Sequence, residues 1–392
     1  MKRTKLISLI LAVIFILSPL SLADGVFYTP DEKDTVEAAI NAFPQMSAES
    51  YIVVDAFTGE IIFEENSKTS MPIASITKMM TALVVVEKTE DLSRMVEVDA
   101  ASCGIEGSSV NLYKGEKISV KDLLYALMLE SANDAAVCLA RAVSGSVETF
   151  ASLMNEKAAE LGMNNSHFMN PHGLEDPEHY STAYDMALLW QEALKNEFLC
   201  ELVATKSYKI PLDSGDGYRY LSNHNKLLKS YEPCVGGKTG FTKSAGRCLV
   251  TVCEKTGVKL ITVTLNDPND WEDHKNITDY AFSLYTKMRL ADVGKITVDV
   301  PVVGGKKKSA RLTNRDTLEI SVRDVTRVES RVEAPRFLYA PVEDDGDAVG
   351  RVVFYYNGRE IAELDLYSID NVEINEVKPG FFKRIINWFT GK

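Results

Sequence analysis

Apolar and polar positions change rhythm along the chain. Residues 50–290 alternate short apolar runs with helical stretches, beginning with "YIVVDAFTGEIIFEE", two strand-like runs joined by a turn at Thr58-Gly59. This pattern predicts a mixed α/β body. After about residue 290 the period becomes two: Ile296, Val298, Val300 and Val302, then Leu318, Ile320 and Val322. "VVFYYNGREIAELDL" adds a hairpin signal, Asn357-Gly358 between two strand-like runs. A small all-β domain over residues 291–375 is expected. Lys306-Lys307-Lys308 reads as a solvated turn, and there is no internal repeat or low-complexity linker.

The two ends follow neither rhythm. "MKRTK" is followed by "LISLILAVIFILSPLSLA", a basic start, an apolar run broken by Pro19, and small residues Ser21 and Ala23 where a signal peptidase cuts. Residues 1–23 are therefore expected to be a signal peptide, and the body to occupy 24–290. The apolar run, about 17 residues, is at the short limit for a membrane span. At the other end, "FFKRIINWFTGK" puts Phe381, Phe382, Ile385, Ile386, Trp388 and Phe389 on one helical face, opposite Lys383, Arg384 and Asn387. Residues 376–392 are expected to form an amphipathic helix that lies in a membrane interface through residues 381–392.

Composition narrows the class. With 45% hydrophobic and 25% charged residues in 392, the chain can bury a substantial core in two or three domains. Its net charge of −13, more negative still once Lys2, Arg3 and Lys5 leave with the signal peptide, excludes a nucleic-acid partner. The cysteines at 103, 138, 200, 234, 248 and 253 sit in a chain read as exported, where disulfides are permitted. Six cysteines allow 15 connectivities, so no bridge is assigned. Cys138, in an apolar helical run, reads as a small core residue. No CxxC or Cys/His spacing points to a metal, and no cofactor is expected.

Three short stretches carry candidate chemistry. In "PIASITKMMTALVVVEK", Ser75 and Lys78 are three apart at the start of a helix, so the amine can reach the hydroxyl. A serine beside an amine kept neutral by burial is an activated nucleophile. Alone this signal is weak, since roughly one or two Ser-x-x-Lys matches arise by chance in such a length. "LLYALMLESANDAAVCLARAV" contains two helical runs interrupted at Ser131-Ala132-Asn133, either a simple cap or a hydroxyl and an amide facing a substrate. Lys-Thr-Gly occurs twice. Lys255-Thr256-Gly257 lies between "CLVTVC" and "VKLITVTL" and reads as a hairpin turn. Lys238-Thr239-Gly240 is expected on a strand edge, where Gly240 lets another backbone approach.

Taken in order, Ser75-x-x-Lys78, Ser131-x-Asn133 and Lys238-Thr239-Gly240 resemble the three motifs of penicillin-binding proteins and serine β-lactamases. "GSSVNLYKGEKISVKDLLYALMLESANDAA" and "NPHGLEDPEHYSTAYDMA" are similar to the D-alanyl-D-alanine carboxypeptidases, from about residue 30 to the end of the chain. The resemblance implies a transpeptidase-like α/β catalytic domain, a β-rich stalk and a membrane-anchoring helix, on the outer face of the cytoplasmic membrane toward the cell wall. It implies Ser75 as nucleophile, Lys78 as base and Ser131 as proton relay, with Asn133, Lys238, Thr239, Gly240 and Phe241 binding substrate. The backbone amides of Ser75 and Phe241 would form the oxyanion hole. The implied partners are peptidoglycan stem peptides ending in D-Ala-D-Ala and β-lactam antibiotics.

Three positions depart from the family pattern. Ala132 stands where Gly is frequent, and Phe241 where many members have His. The Arg often found past the following strands has no match in "NDPNDWEDHKN", which leaves His274 or Lys275 for its place. The rival readings are weaker. A class A β-lactamase deacylates through a Glu-x-x-Leu-Asn string, which is absent. A zinc peptidase built on His167, His172 and His179 lacks the His-Glu-x-x-His pattern, and His172 reads as a turn or core residue. A sensing module that is acylated without turnover shares the motifs and differs in not releasing D-alanine.

Overall fold

A computed structural model describes residues 43–344 and 346–375, so the expected signal peptide and amphipathic helix lie outside the described residues. The described chain falls into two compact units, one ending at Tyr285 and the other beginning at Thr286.

The first unit is built on a five-stranded antiparallel sheet. Its strands are β1 (Ser50–Asp55), β2 (Ile61–Glu65), β3 (Cys234–Thr242), β4 (Gly246–Lys255) and β5 (Val258–Leu265), in the spatial order β2-β1-β5-β4-β3. Successive side chains of a strand point to opposite faces. Ile52, Val54, Val250, Val252, Ile261 and Val263 therefore share one core. Tyr51, Val53, Leu249, Cys253 and Leu260 share another. Both faces are covered, which is why these strands read as nearly continuous apolar runs.

The larger core packs against α1 (Lys78–Lys88), α2 (Val120–Leu129), α3 (Asn133–Ser144), α4 (Val147–Glu160) and α5 (Ala183–Ala193). The smaller one packs against α6 (Asp270–Ser283), through Ile277, Ala281 and Phe282. Helix starts obey their caps: the hydroxyls of Ser119, Ser146 and Thr182 accept from the N–H groups of Asp122, Thr149 and Asp185. The β4–β5 turn is Thr256-Gly257, with φ of 50° and 79°, so the second Lys-Thr-Gly copy is a two-residue hairpin turn as expected.

Among its described residues, the second unit is all β apart from one short 3₁₀ turn. Its main sheet orders Val328–Glu333, Ala348–Tyr356, Arg359–Ser368, Ser309–Asn314, Thr297–Val303 and Leu338–Tyr339, antiparallel except for the last pair. The period-two positions Val300 and Val302 are buried, and Asn357-Gly358 makes the predicted turn with φ of 51° and 77°. Lys306, Lys307 and Lys308 are exposed, and Lys307 pairs with Asp370 at 2.6 Å. Among the described residues, no helix is long and apolar enough to cross a membrane.

Candidate active site

The serine sits at a forced corner. Ala74, just before it, has φ of 48°, and residues 74–77 make one 3₁₀ turn; α1 begins only at Lys78. The helix expected to start at Ser75 thus starts three residues later. In a 3₁₀ turn, positions i and i+3 eclipse, so Lys78 still comes to lie against Ser75. Two glycines make the corner possible. A β-carbon on Gly173 would lie 1.9 Å from the Ala74 carbonyl oxygen, and one on Gly240 would lie 3.1 Å from the backbone nitrogens of both Ser75 and Ile76. β3, the edge strand, thus presses its Gly240 onto the turn that carries the serine.

Lys78 is fully buried, and its Nζ has three partners: Ser75 Oγ at 2.8 Å, Asn133 Oδ1 at 2.8 Å and the His172 carbonyl at 2.7 Å. Burial, helped by the charge of Lys238, drives its pKa well below that of an ordinary lysine. Two of the partners are oxygens that can only accept. A neutral amine spends its two N–H bonds on them, and its lone pair then faces the Ser75 hydroxyl proton. Asn133 is held in turn, its Nδ2 donating to the Glu106 carbonyl at 2.6 Å.

Ser131 lies between α2 and α3 with φ of 57°, a backbone state non-glycine residues adopt only when the surroundings impose it. Its hydroxyl accepts from Lys238 Nζ at 3.0 Å. Burial lowers the Lys238 pKa to about 7. Both lysines therefore stand behind hydroxyls, Lys78 behind Ser75 and Lys238 behind Ser131. Asn133 faces Lys78 and the Glu106 carbonyl, so its amide has both ends occupied.

Sequence reasoning missed several groups. The 170–173 turn supplies the His172 carbonyl to Lys78, while the His172 ring is half-buried and pushed down to about 3 by desolvation. His179 hydrogen-bonds Thr77 Oγ1 at 2.9 Å and accepts from the Met169 N–H at 3.1 Å, which braces the serine turn. The string "NPHGLEDPEHYSTAYDMA" held this signal, but the contact to Lys78 is made by a backbone carbonyl that residue types do not advertise. Ser75, Ser131 and Thr239 share an open cleft of about 330 Å³ with Phe241, Arg247 and Trp271. Phe241 is 66% exposed at its mouth.

The proposed stand-ins for the missing Arg fail. His274 is buried between Thr251 Oγ1 at 2.8 Å and Thr264 Oγ1 at 3.0 Å, and desolvation lowers it to about 3. Lys275 pairs with Glu272 at 3.6 Å and does not line the cleft. Two cations do line it, Lys226 and Arg247, the latter on β4 directly across from Phe241. One Nη2 of Arg247 contacts both oxygens of Asp270 at 2.8 Å, and the guanidinium stacks over Trp271 at 5.5 Å. Lys226 approaches the same ring at 6.0 Å. The hairpin register, countable from the sequence once the turn is placed, could have found Arg247.

Comparison with known proteins identifies relatives over both units. The sequence model of the D-alanyl-D-alanine carboxypeptidases matches residues 35–269, and that of the penicillin-binding protein 5 C-terminal domain matches 285–374. The D-alanyl-D-alanine carboxypeptidase DacF of Bacillus subtilis (strain 168) is 32% identical over 372 residues, 92% of each chain. The structure of penicillin binding protein 5 from Haemophilus influenzae is 28% identical and covers 84% of this chain and 98% of its own, with a TM-score of 0.60. That of a D-alanyl-D-alanine carboxypeptidase from Mycobacterium tuberculosis is 29% identical and covers 63% of this chain and 95% of its own, with a TM-score of 0.59. With a serine, its buried lysine and the Lys-Thr-Gly edge strand assembled in one cleft, the chain belongs to the D-alanyl-D-alanine carboxypeptidase family of serine peptidases.

Proposed function

We propose that this carboxypeptidase removes the terminal D-alanine from peptidoglycan stem peptides through an acyl-enzyme on Ser75. The observation that carries the assignment is the lone-pair geometry at Lys78. Ser75 gives its proton to the Lys78 amine as Oγ attacks the carbonyl carbon of the penultimate D-alanine. The oxyanion is received by the backbone N–H groups of Ser75 and Phe241, each donor worth about 3–4 kcal/mol. A backbone donor does not depend on whether position 241 is His or Phe. As the tetrahedral adduct collapses, the leaving amine takes a proton from Ser131, which Lys238 replenishes. The proton that Lys78 took from Ser75 passes to Lys238, which restores both amines; water then attacks the acyl-enzyme with Lys78 as base, and Lys78 hands the water's proton to the departing Ser75 Oγ.

The terminal carboxylate is assigned to Thr239 and Arg247. Lys238, buried against Ser131, supports them from behind. Asn133, expected to bind the substrate amide, is read instead as the residue that aims Lys78. Arg247→Gln should lower kcat/KM for a peptide with a free terminal carboxylate roughly 10- to 100-fold, the value of a charge-assisted hydrogen bond. The same change should leave turnover of the C-terminal amide nearly unaltered. Equal losses on both substrates would remove Arg247 from the role.

Export and anchorage at the outer membrane face belong to the same reading, on the strength of the terminal sequences and of the wall-directed family. A chain lacking residues 376–392 should leave the membrane fraction. The decisive experiment is the intact mass of the protein over time with a penicillin, beside Ser75→Ala. A long-lived adduct on Ser75 together with D-alanine release from a D-Ala-D-Ala peptide is expected. An adduct without release would make it a sensor, and rapid loss of the adduct as hydrolysed antibiotic would make it a β-lactamase.

A further inference from the structure

Cys234 and Cys253 face each other directly across the β3–β4 ladder. The neighbouring ladder bond runs from the Glu254 N–H to the Pro233 carbonyl at 2.7 Å, while the Cys234 N–H turns away to the Tyr231 carbonyl at 3.0 Å. The pair therefore occupies a non-hydrogen-bonded position of the antiparallel ladder. Such positions bring Cα atoms to about 4.5 Å, inside the roughly 4.4–6.8 Å that a disulfide requires. Both side chains point into the smaller core and are buried, and the Cys234 thiol donates to the Gly236 carbonyl at 3.4 Å. Asn225 Nδ2 also points at Cys234 Sγ, at 3.7 Å. The neighbouring Cys253 thiol and this amide favour the thiolate on Cys234, whereas Cys253 keeps its proton.

We propose that Cys234 and Cys253 are a disulfide site that locks the hairpin carrying Lys238, Thr239 and Gly240 when the chain meets a disulfide-bearing oxidant. The Cys234 thiolate attacks one sulfur of the oxidant and releases its other sulfur as a thiol. Cys253 then gives up its proton to the departing sulfur as it attacks Cys234 in this mixed disulfide, and the second half of the oxidant leaves as a thiol. Two electrons pass from the protein to the oxidant, and the two cysteine protons end on its two thiols. The inference rests on the register and burial of the pair, beside a bulge at Val235, and stands independently of the peptidase chemistry. Because the pair is buried, the bond forms as the hairpin assembles, before α6 closes over it. The remaining cysteines lack a cross-strand partner of this kind: Cys138 and Cys248 lie in the other core, and Cys103 and Cys200 donate to the backbone carbonyls of Asp99 and Leu194.

The test is to refold the full chain from denaturant in a reduced and oxidised glutathione buffer, then count thiols with a maleimide under denaturing conditions and map the peptides. Four of the six cysteines should react, a peptide joining Cys234 to Cys253 should appear, and a phosphine reductant should restore all six. Reduction should also lower Tm by roughly 5–10 °C, as expected for opening a bridge across a loop of this length. Six reactive thiols after refolding would overturn the proposal. So would glutathione carried only on Cys103 or Cys200, or a bridge between any other two cysteines, Cys103 with Cys138 included. The peptide map needs no variant, so a misfolding substitution cannot obscure the answer.

Discussion

Two buried lysines stand about one hydroxyl away from the reacting atoms, and their states must differ for the cleft to work. In the proposed mechanism Lys78 is the base, so activity should require its neutral form and rise with pH through its lowered pKa. In the same proposal Lys238 is the proton donor and cation, so activity should require its charged form and fall as pH rises through about 7. The profile of kcat/KM, which reports the free enzyme, should therefore decline on its alkaline side near pH 7 rather than near 10. Lys238→Arg, which keeps its charge throughout, should move that decline above pH 9 at a reduced maximum. A limb that stays near 7 in the variant would assign it to another group. Lys78→Ala should slow acylation by penicillin at least ~10³-fold. At this scale the residue types were legible in the sequence, but their partners were only partly so. Ser75, Lys78, Ser131 and Lys238 were found through spacing, whereas the His172 carbonyl is backbone and Arg247 reaches the cleft through strand register.

At the scale of elements, the site exists because an edge strand and a 3₁₀ turn approach more closely than side chains allow. Gly240 is the contact point, within 3.1 Å of three backbone atoms once a β-carbon is added. Gly257, in the second Lys-Thr-Gly copy, meets nothing within 4 Å. Gly240→Ala should displace the strand by a few tenths of an ångström and cut the acylation rate roughly 10- to 100-fold, as misplacement of reacting groups does. Gly257→Ala should leave the rate intact and cost only a small loss of Tm, because φ of 79° is unfavourable for alanine. Equal effects would mean that strand approach is not what aligns the serine. The difference between the two copies was visible in the sequence, since turn chemistry and flanking strands are local. The forced corner at Ala74 was not, because it depends on Gly173, a residue almost a hundred positions away whose role is purely steric.

At the scale of the whole molecule, the change of apolar period near residue 290 marks real chemistry of assembly: a sheet buried on both faces before it, and strands with one buried face after it. Every group assembled in the cleft comes from the unit that ends at Tyr285. The unit also encloses its own two cores. The carboxypeptidase from Mycobacterium tuberculosis is nearly covered by 63% of this chain, which fits a catalytic unit that stands alone. A chain ending at Tyr285 should therefore be acylated by penicillin at a rate within about twofold of the full chain, and should release D-alanine from a short soluble peptide equally well. Intact-mass kinetics on both chains measure the first, and a D-alanine assay the second. The two chains should diverge on intact sacculi held beside membrane vesicles, where the proposed stalk and membrane anchor would set the distance between cleft and wall. A truncated chain that folds by circular dichroism yet loses acylation would show that the second unit shapes the cleft itself. Unchanged action on sacculi would instead strip it of the role of spacer.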